Sequence, residues 1–162
     1  FDGVSAGQTW HWADPIAGAA NAASVLHPRG RLAVFWNAAI PSPEVAAEFA
    51  KVFESLDTGL PFNPWTASPQ ADPYGSIIDQ TADGLRATAA FGAVERLTFE
   101  WQSTVGRDAW LEQTSTAGGI NRLPKDKLDV LLRGMGEAID AVGGTLVIDY
   151  TTVAAIIERL PD

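Results

Sequence analysis

A chain of 162 residues, 46% hydrophobic and 19% charged, holds enough apolar material for the core of one globular domain, which excludes wholesale disorder. Its net charge of -9 opposes a nucleic-acid backbone or an anionic membrane surface, since both are bound by clustered Lys and Arg. The absence of cysteine excludes disulfides, thiolate zinc sites and cysteine nucleophiles, and two histidines, His11 and His27, do not make an imidazole-rich metal centre.

No stretch approaches the roughly 20 apolar residues that span a bilayer, and the first residues lack the basic-then-apolar order of a secretory leader. A cytoplasmic protein is the expectation. The sequence opens on Phe1 rather than Met, directly in a strand pattern over Phe1 to Ala6. An upstream segment is therefore expected.

Phe1, Val4 and Ala6 give that first strand, which ends at Gly7, where the chain turns without a Cβ penalty. After Gln8-Thr9-Trp10-His11-Trp12, Asp14-Pro15 starts a helix, with Asp as N-cap and Pro at the first helical position. Ile16, Ala19, Ala20, Ala23 and Leu26 supply its inner face, small enough to lie close to a sheet. His27-Pro28 stops the helix and Arg29-Gly30 turns the chain back. The unbroken apolar run Leu32-Ala33-Val34-Phe35-Trp36 fits a strand covered on both faces. Strand, helix and strand within 40 residues make a βαβ unit.

Ser42-Pro43 begins a helix carrying Val45, Phe49, Val52, Phe53 and Leu56 at helical spacing. Pro61, Pro64, Pro69 and Pro73 then break regular structure, while Phe62, Trp65 and Tyr74 keep the stretch apolar. Residues 38–81 read as a cap or lid inserted in a single domain of residues 1–162, because long prolyl-aromatic loops in compact domains are usually functional. A packed surface loop is the alternative. A short helix over Asp83 to Phe91 follows, then a strand in which Leu97, Phe99 and Trp101 alternate with Arg96, Thr98 and Glu100, a pattern with one wet face. Helices over Asp108 to Thr116 and Lys125 to Val142 precede a last strand over Leu146 to Ile157, expected to pair with the strand around Leu97 to Trp101.

Several words along this order carry a resemblance. Phe1-Asp2-Gly3-Val4, the loop Gln8 to Pro15, the turn Val25-Leu26-His27-Pro28-Arg29-Gly30, the strand Leu32 to Asn37 and Phe91-Gly92 with Val94 resemble the second half of class I S-adenosylmethionine-dependent methyltransferases of the UbiE-like, small-molecule type. Arg29 stands where that family has a glycine. The resemblance implies an α/β fold, the C-terminal half of a Rossmann-like sheet made of the family's strands four, five, seven and six, the last strand antiparallel. It implies S-adenosylmethionine as cofactor and methyl transfer to a small-molecule acceptor by the parent protein. The family's acidic-Gly-x-Gly-x-Gly turn is missing, and Gly118-Gly119 and Gly143-Gly144 do not replace it. The chain alone is expected to be inactive.

Ligands of open α/β sheets bind beyond the carboxyl ends of the strands, which directs attention to Gly7 through Trp12 and to Asn37. By resemblance, Gly7, Gln8 and Trp10 are the candidates at the methionine end of the cofactor. Trp12, Asn37 and Trp65 are candidates for the acceptor. His11 has the pKa range of a general base toward a hydroxyl or amine, which would favour O-methylation; its other role is a structural hydrogen bond beneath Trp10 or Trp12. Loss of the neighbours that strand four has in the family leaves the first strand at an apolar edge, so a homo-oligomer through that strand is expected. A non-catalytic homologue that only associates or binds is the second reading. Another doubly wound enzyme, such as a reductase, would share the alternation but not the Trp-His-Trp and Leu-x-Pro words.

Overall fold

The computed structural model describes residues 1–60, 63–66 and 74–161. Pro61, Phe62, Pro69 and Pro73, all part of the expected cap, lie outside the described residues. In chain order the elements are β1 (Gly3–Gly7), a 3-10 turn (Trp10–Trp12), α1 (Pro15–Val25), β2 (Arg31–Ile40), α2 (Pro43–Glu54), α3 (Gly75–Thr88), β3 (Glu95–Gly106), α4 (Arg107–Thr116), α5 (Lys125–Ala141) and β4 (Thr145–Glu158). The four strands form one mixed sheet in the order β1-β2-β4-β3, the order expected for strands four, five, seven and six.

β1 and β2 are parallel, with Gly3 beside Arg31 and Gly7 beside Phe35. Arg159 exchanges backbone hydrogen bonds with Arg29 and Gly30, while Thr152 reaches Asn37. Numbers fall along β4 as they rise along β2, so the last strand is antiparallel to its neighbour. The bridge of Phe91 with Arg159 is antiparallel as well. Trp101 against Tyr150 and Gln102 against Asp149 repeat the sense for β3.

The chain divides into two compact units, one of Phe1–Ala38, Asp72–Glu100 and Thr151–Asp162, the other of Ala39–Ala71 and Trp101–Tyr150. In the first, Leu32, Val34 and Trp36 of β2 are fully buried with Val153, Ala155 and Ile157 of β4 and with Ala19, Ala22 and Leu26 of α1. The alternate residues Ala33 and Phe35 are half-buried, so the apolar run is covered on both faces but unequally. In the second, Val45, Phe49 and Phe53 of α2 meet Trp110, Leu131, Met135 and Ile139, and Leu146, Ile148 and Tyr150 of β4. The expected cap thus contributes α2 to the second unit and the start of α3 to the first.

α1 begins as the sequence predicts: the Asp14 carboxylate accepts from the N–H groups of Ile16 and Ala17, and Pro15 occupies the first turn. Its buried face is Ala19, Ala22 and Leu26, whereas Ile16 is 55% exposed, a rotation of the expected stripe. The cause is α3, which packs on α1 and starts at Gly75 rather than Asp83. α3 buries Ile78, Thr81, Ala82 and Leu85 and ends on Ala89, whose left-handed φ of 54° closes the helix. β1 runs over Gly3–Gly7 instead of residues 1–6. Trp101, expected in the core, is 44% exposed because β3 is the outermost strand.

Arg29 adopts φ 68°, the left-handed geometry that the glycine of the resembling turn would supply. Its N–H reaches Arg159, and that of Gly30 reaches His27, so the turn keeps its shape at a cost of about 1–2 kcal/mol. α3 lies close to the start of α1 at Gly84, where a Cβ would stand 2.7 Å from both the Cβ and the carbonyl oxygen of Pro15. Backbone cannot yield as a side chain can. Gly84→Ala is expected to destabilise the fold by about 1–3 kcal/mol, the range of overpacking, measured by urea unfolding.

Candidate functional site

β1 ends at Gly7 beside Phe35 of β2, whereas Asn37, expected to leave a strand end, lies two residues further along β2, which runs on to Ile40. A residue other than glycine at position 7 would place its Cβ 2.7 Å from the Phe35 ring, so Gly7 lets the strand end lie against that ring. Gln8 then takes φ 55°, left-handed for a residue with a Cβ. Two hydrogen bonds hold it there: its N–H donates to the Phe35 carbonyl at 2.9 Å, and its Nε2 donates to the Asn37 carbonyl at 3.1 Å. Strained backbone kept in place by surrounding contacts is a feature of functional sites.

The Asn37 carbonyl accepts a second hydrogen bond, from the Tyr74 hydroxyl at 3.1 Å. Its side-chain Oδ1 accepts from the Thr152 hydroxyl at 2.7 Å. Three segments therefore converge on this residue of β2: the loop after β1, the start of α3 and the middle of β4. Tyr74 also stacks on Trp36, with ring centroids 6.0 Å apart and planes at 22°. Burial raises the Tyr74 pKa above its ordinary 10, and a hydrogen bond with Gln8 offsets part of that rise.

The 3-10 turn over Trp10–Trp12 places the remaining candidates. Trp10 is half-buried, packs on the first core and lies over Gly18 of α1, where a Cβ would come within 3.4 Å of its ring. Its indole nitrogen is buried and has no hydrogen-bond partner among the described residues. Trp12 is 63% exposed and touches the His11 ring at a centroid distance of 4.7 Å. His11 accepts at Nδ1 from the indole N–H of Trp36 at 3.0 Å. Since indole only donates, the neutral imidazole carries its proton on Nε2.

Gly7, Gln8, Trp10, His11, Trp12 and Asn37 are thus gathered at one end of the first unit. Trp65 belongs to the second unit, edge-on to Phe49 and Phe53 at 5.9 and 5.6 Å. Tyr74 and Thr152 have no forewarning in the sequence as site residues: their hydroxyls act 37 and 115 residues away, and no local pattern marks them. The hydrogen-bonding groups are all neutral. Among the described residues no group of three or more His, Asp or Glu is placed to hold a metal, and no helix is long and apolar enough to cross a membrane.

A glycine-rich cradle for a nucleoside cofactor is not among these elements. Gly119 leads into the 3-10 turn Ile120–Arg122, and Gly143 and Gly144, at φ 98° and 80°, connect α5 to β4. Neither is a turn from a strand into an α-helix. Among the described residues no glycine-rich turn leads from a strand into an α-helix, so the residues present do not supply the cradle of a nucleoside cofactor.

No protein-family model and no curated protein matches the sequence. Among solved structures, the chain is similar to a protein assigned as a type II methyltransferase from Anaeromyxobacter dehalogenans, with 18% identity and a TM-score of 0.56 over 99% of this chain and 65% of that one. It is also similar to one assigned as a methyltransferase from Bacillus halodurans C-125, with 13% identity, a TM-score of 0.45 and the same coverages of 99% and 65%. A third, assigned as a sarcosine dimethylglycine methyltransferase from Galdieria sulphuraria, gives 12% identity and 0.39 over 99% and 53%. The first likeness establishes the fold: the chain carries part of a class I methyltransferase fold and spans 65% of the length of that protein.

Two expectations test this geometry. Replacing His11 with Ala leaves the buried Trp36 N–H without its acceptor and should cost about 1–3 kcal/mol, while His11→Asn, whose Oδ1 falls near the lost Nδ1, should recover part of it in denaturant melts. Tyr74, with its pKa raised on folding, contributes stability that is fully present below pH 10 and declines as pH rises through the folded value. Urea midpoints measured from pH 9 to 11 should fall less steeply in Tyr74→Phe than in the parent chain.

Proposed function

We propose that this chain forms the acceptor side of an S-adenosylmethionine-dependent methyltransferase acting on a small molecule, and that the cofactor cradle lies in sequence outside it. The observation that carries the reading is the convergence of Gln8, Tyr74 and Thr152 on Asn37 of β2, beside the carboxyl end of the parallel strand β1 in a methyltransferase-type sheet. Open α/β sheets bind their ligands at that place. In this reading Gly7, Gln8 and Trp10 border the methionine end of the cofactor, and Trp12 and Asn37 face the acceptor.

A sulfonium methyl donor is activated before it reaches the protein, so alignment of the acceptor supplies much of the rate. Neutral groups suit that task. Asn37 Nδ2 would orient a polar acceptor, and exposed Trp12 would cover an apolar one. His11 is assigned the proton-accepting role only on condition that Trp36 releases Nδ1, since that nitrogen is engaged and Nε2 carries a proton. With Nδ1 engaged by Trp36, Nε2 carries the proton and would act as a donor toward an acceptor oxygen or nitrogen.

Titration calorimetry of the chain with S-adenosylmethionine is expected to give no binding heat. Micromolar affinity would show that the residues present suffice and would overturn the divided-cleft reading. A longer protein containing an upstream strand and Gly-x-Gly-x-Gly turn should bind the cofactor and transfer a labelled methyl group to small hydroxyl or amine acceptors.

A further inference from the structure

The two faces of the sheet in the first unit are packed unequally. Leu32, Val34 and Trp36 of β2 and Val153, Ala155 and Ile157 of β4 point into the first core, together with Val4 and Ala6 of β1 and the buried residues of α1 and α3. Side chains alternate along a strand, so Ala33 and Phe35, Ala154 and Ile156, and Gly3, Ser5 and Gly7 stand on the opposite face. None of these seven belongs to either core. The α-helices of the first unit, α1 and α3, are both on the packed face. Parallel strands are normally covered on both faces, and this one lacks its cover.

The hydrogen bond of Thr152 with Asn37 sets the register of β4 on β2. Two steps along it Phe35 lies beside Ala154, and after two more Ala33 lies beside Ile156. The same count reaches Gly30 beside Arg159, whose N–H donates to the Gly30 carbonyl. Large and small side chains thus form a checkerboard, with Phe35 and Ile156 on one diagonal and Ala33 and Ala154 on the other. A two-fold axis lying in the plane of contact, along the strands or across them, sets each large side chain of one copy on an alanine of the next. Sheets stacked about 10 Å apart interleave their side chains in this way.

None of the seven residues is charged, so the net charge of -9 does not fall on the contact. The chain exposes 9317 Å², about 1,500 Å² more than a monomer of its mass usually does. Each partner of a standard complex hides about 800 Å², which that excess accommodates.

We infer that the face formed by Ala33, Phe35, Ala154 and Ile156 docks a second copy of this chain about a two-fold axis. A two-fold contact uses the same patch on both partners, and the checkerboard is its own complement. The inference stands apart from the methyl-transfer reading, since it needs neither a cofactor nor an acceptor.

Sedimentation equilibrium on the chain and three variants, with circular dichroism to follow folding, tests it. The parent is expected to dimerise reversibly. Ile156→Glu and Ala33→Glu each bring two carboxylates into the apolar contact and should weaken association roughly tenfold or more, while the monomers keep the parent's spectrum. Val130→Glu, on exposed α5 in the second unit, should leave the dimer intact. A monomeric parent overturns the inference and leaves the face to a segment from outside the chain. A dimer indifferent to Ile156→Glu overturns it in favour of the open edge of β1, because β4 is an inner strand. Unfolding of both glutamate variants would show the face to be packed within the chain, and dissociation by Val130→Glu would move the contact to α5; either result sinks it.

Discussion

The indole N–H of Trp36 is the constraint from which the site is built. Trp36 is fully buried within β2, and a buried donor without an acceptor costs about 1–3 kcal/mol. No strand neighbour supplies one for a side chain. His11 does, by way of a 3-10 turn that folds the loop after β1 back over β2. That single bond fixes where the loop goes, and with it Trp10 over α1 and Trp12 at the surface.

Asn37 follows next in the chain and closes the arrangement from the other side. Its carbonyl, at the point where β2 passes the end of β1, is occupied by Gln8 and Tyr74, and its Oδ1 by Thr152. The left-handed backbone at Gln8 is sustained by this bonding: the unfavourable φ is compensated by a backbone bond to Phe35 and a side-chain bond to Asn37. Trp36 and Asn37 thus fasten the same loop from adjacent positions on one strand, one through its ring and one through its backbone.

What was legible in the sequence was local. Asp14-Pro15 announces α1, and the unbroken apolar run of β2 marks Leu32, Val34 and Trp36 as covered, because such signals need only neighbours. The order of strands came from a resemblance. Local signals failed where a distant element decides: α3 rotates the buried face of α1 away from Ile16, and the outer position of β3 leaves Trp101 and Phe99 exposed despite strict alternation. That Gly7, Gln8, Trp10, His11, Trp12 and Asn37 gather at one end of the first unit follows from their places at and after the end of β1 and along β2. Tyr74 and Thr152 were not legible, since hydroxyl bonds across 37 and 115 residues leave no pattern behind.

The hydrogen bonding also bears on which chemistry a histidine can do. A free imidazole beside a strand end invites a general-base role on pKa grounds. Once Nδ1 accepts from an indole that has no other acceptor, the tautomer is set and Nε2 becomes a donor. Taking a proton at Nε2 would require either the imidazolium, which sets a ring N–H against the Trp36 N–H, or the other tautomer, which does the same. Both outcomes strand a buried donor, so the energy that holds the loop in place is the energy that proton transfer through His11 would have to overcome. In the proposed reading, alignment by neutral donors is the resource that leaves this cluster's hydrogen bonds intact.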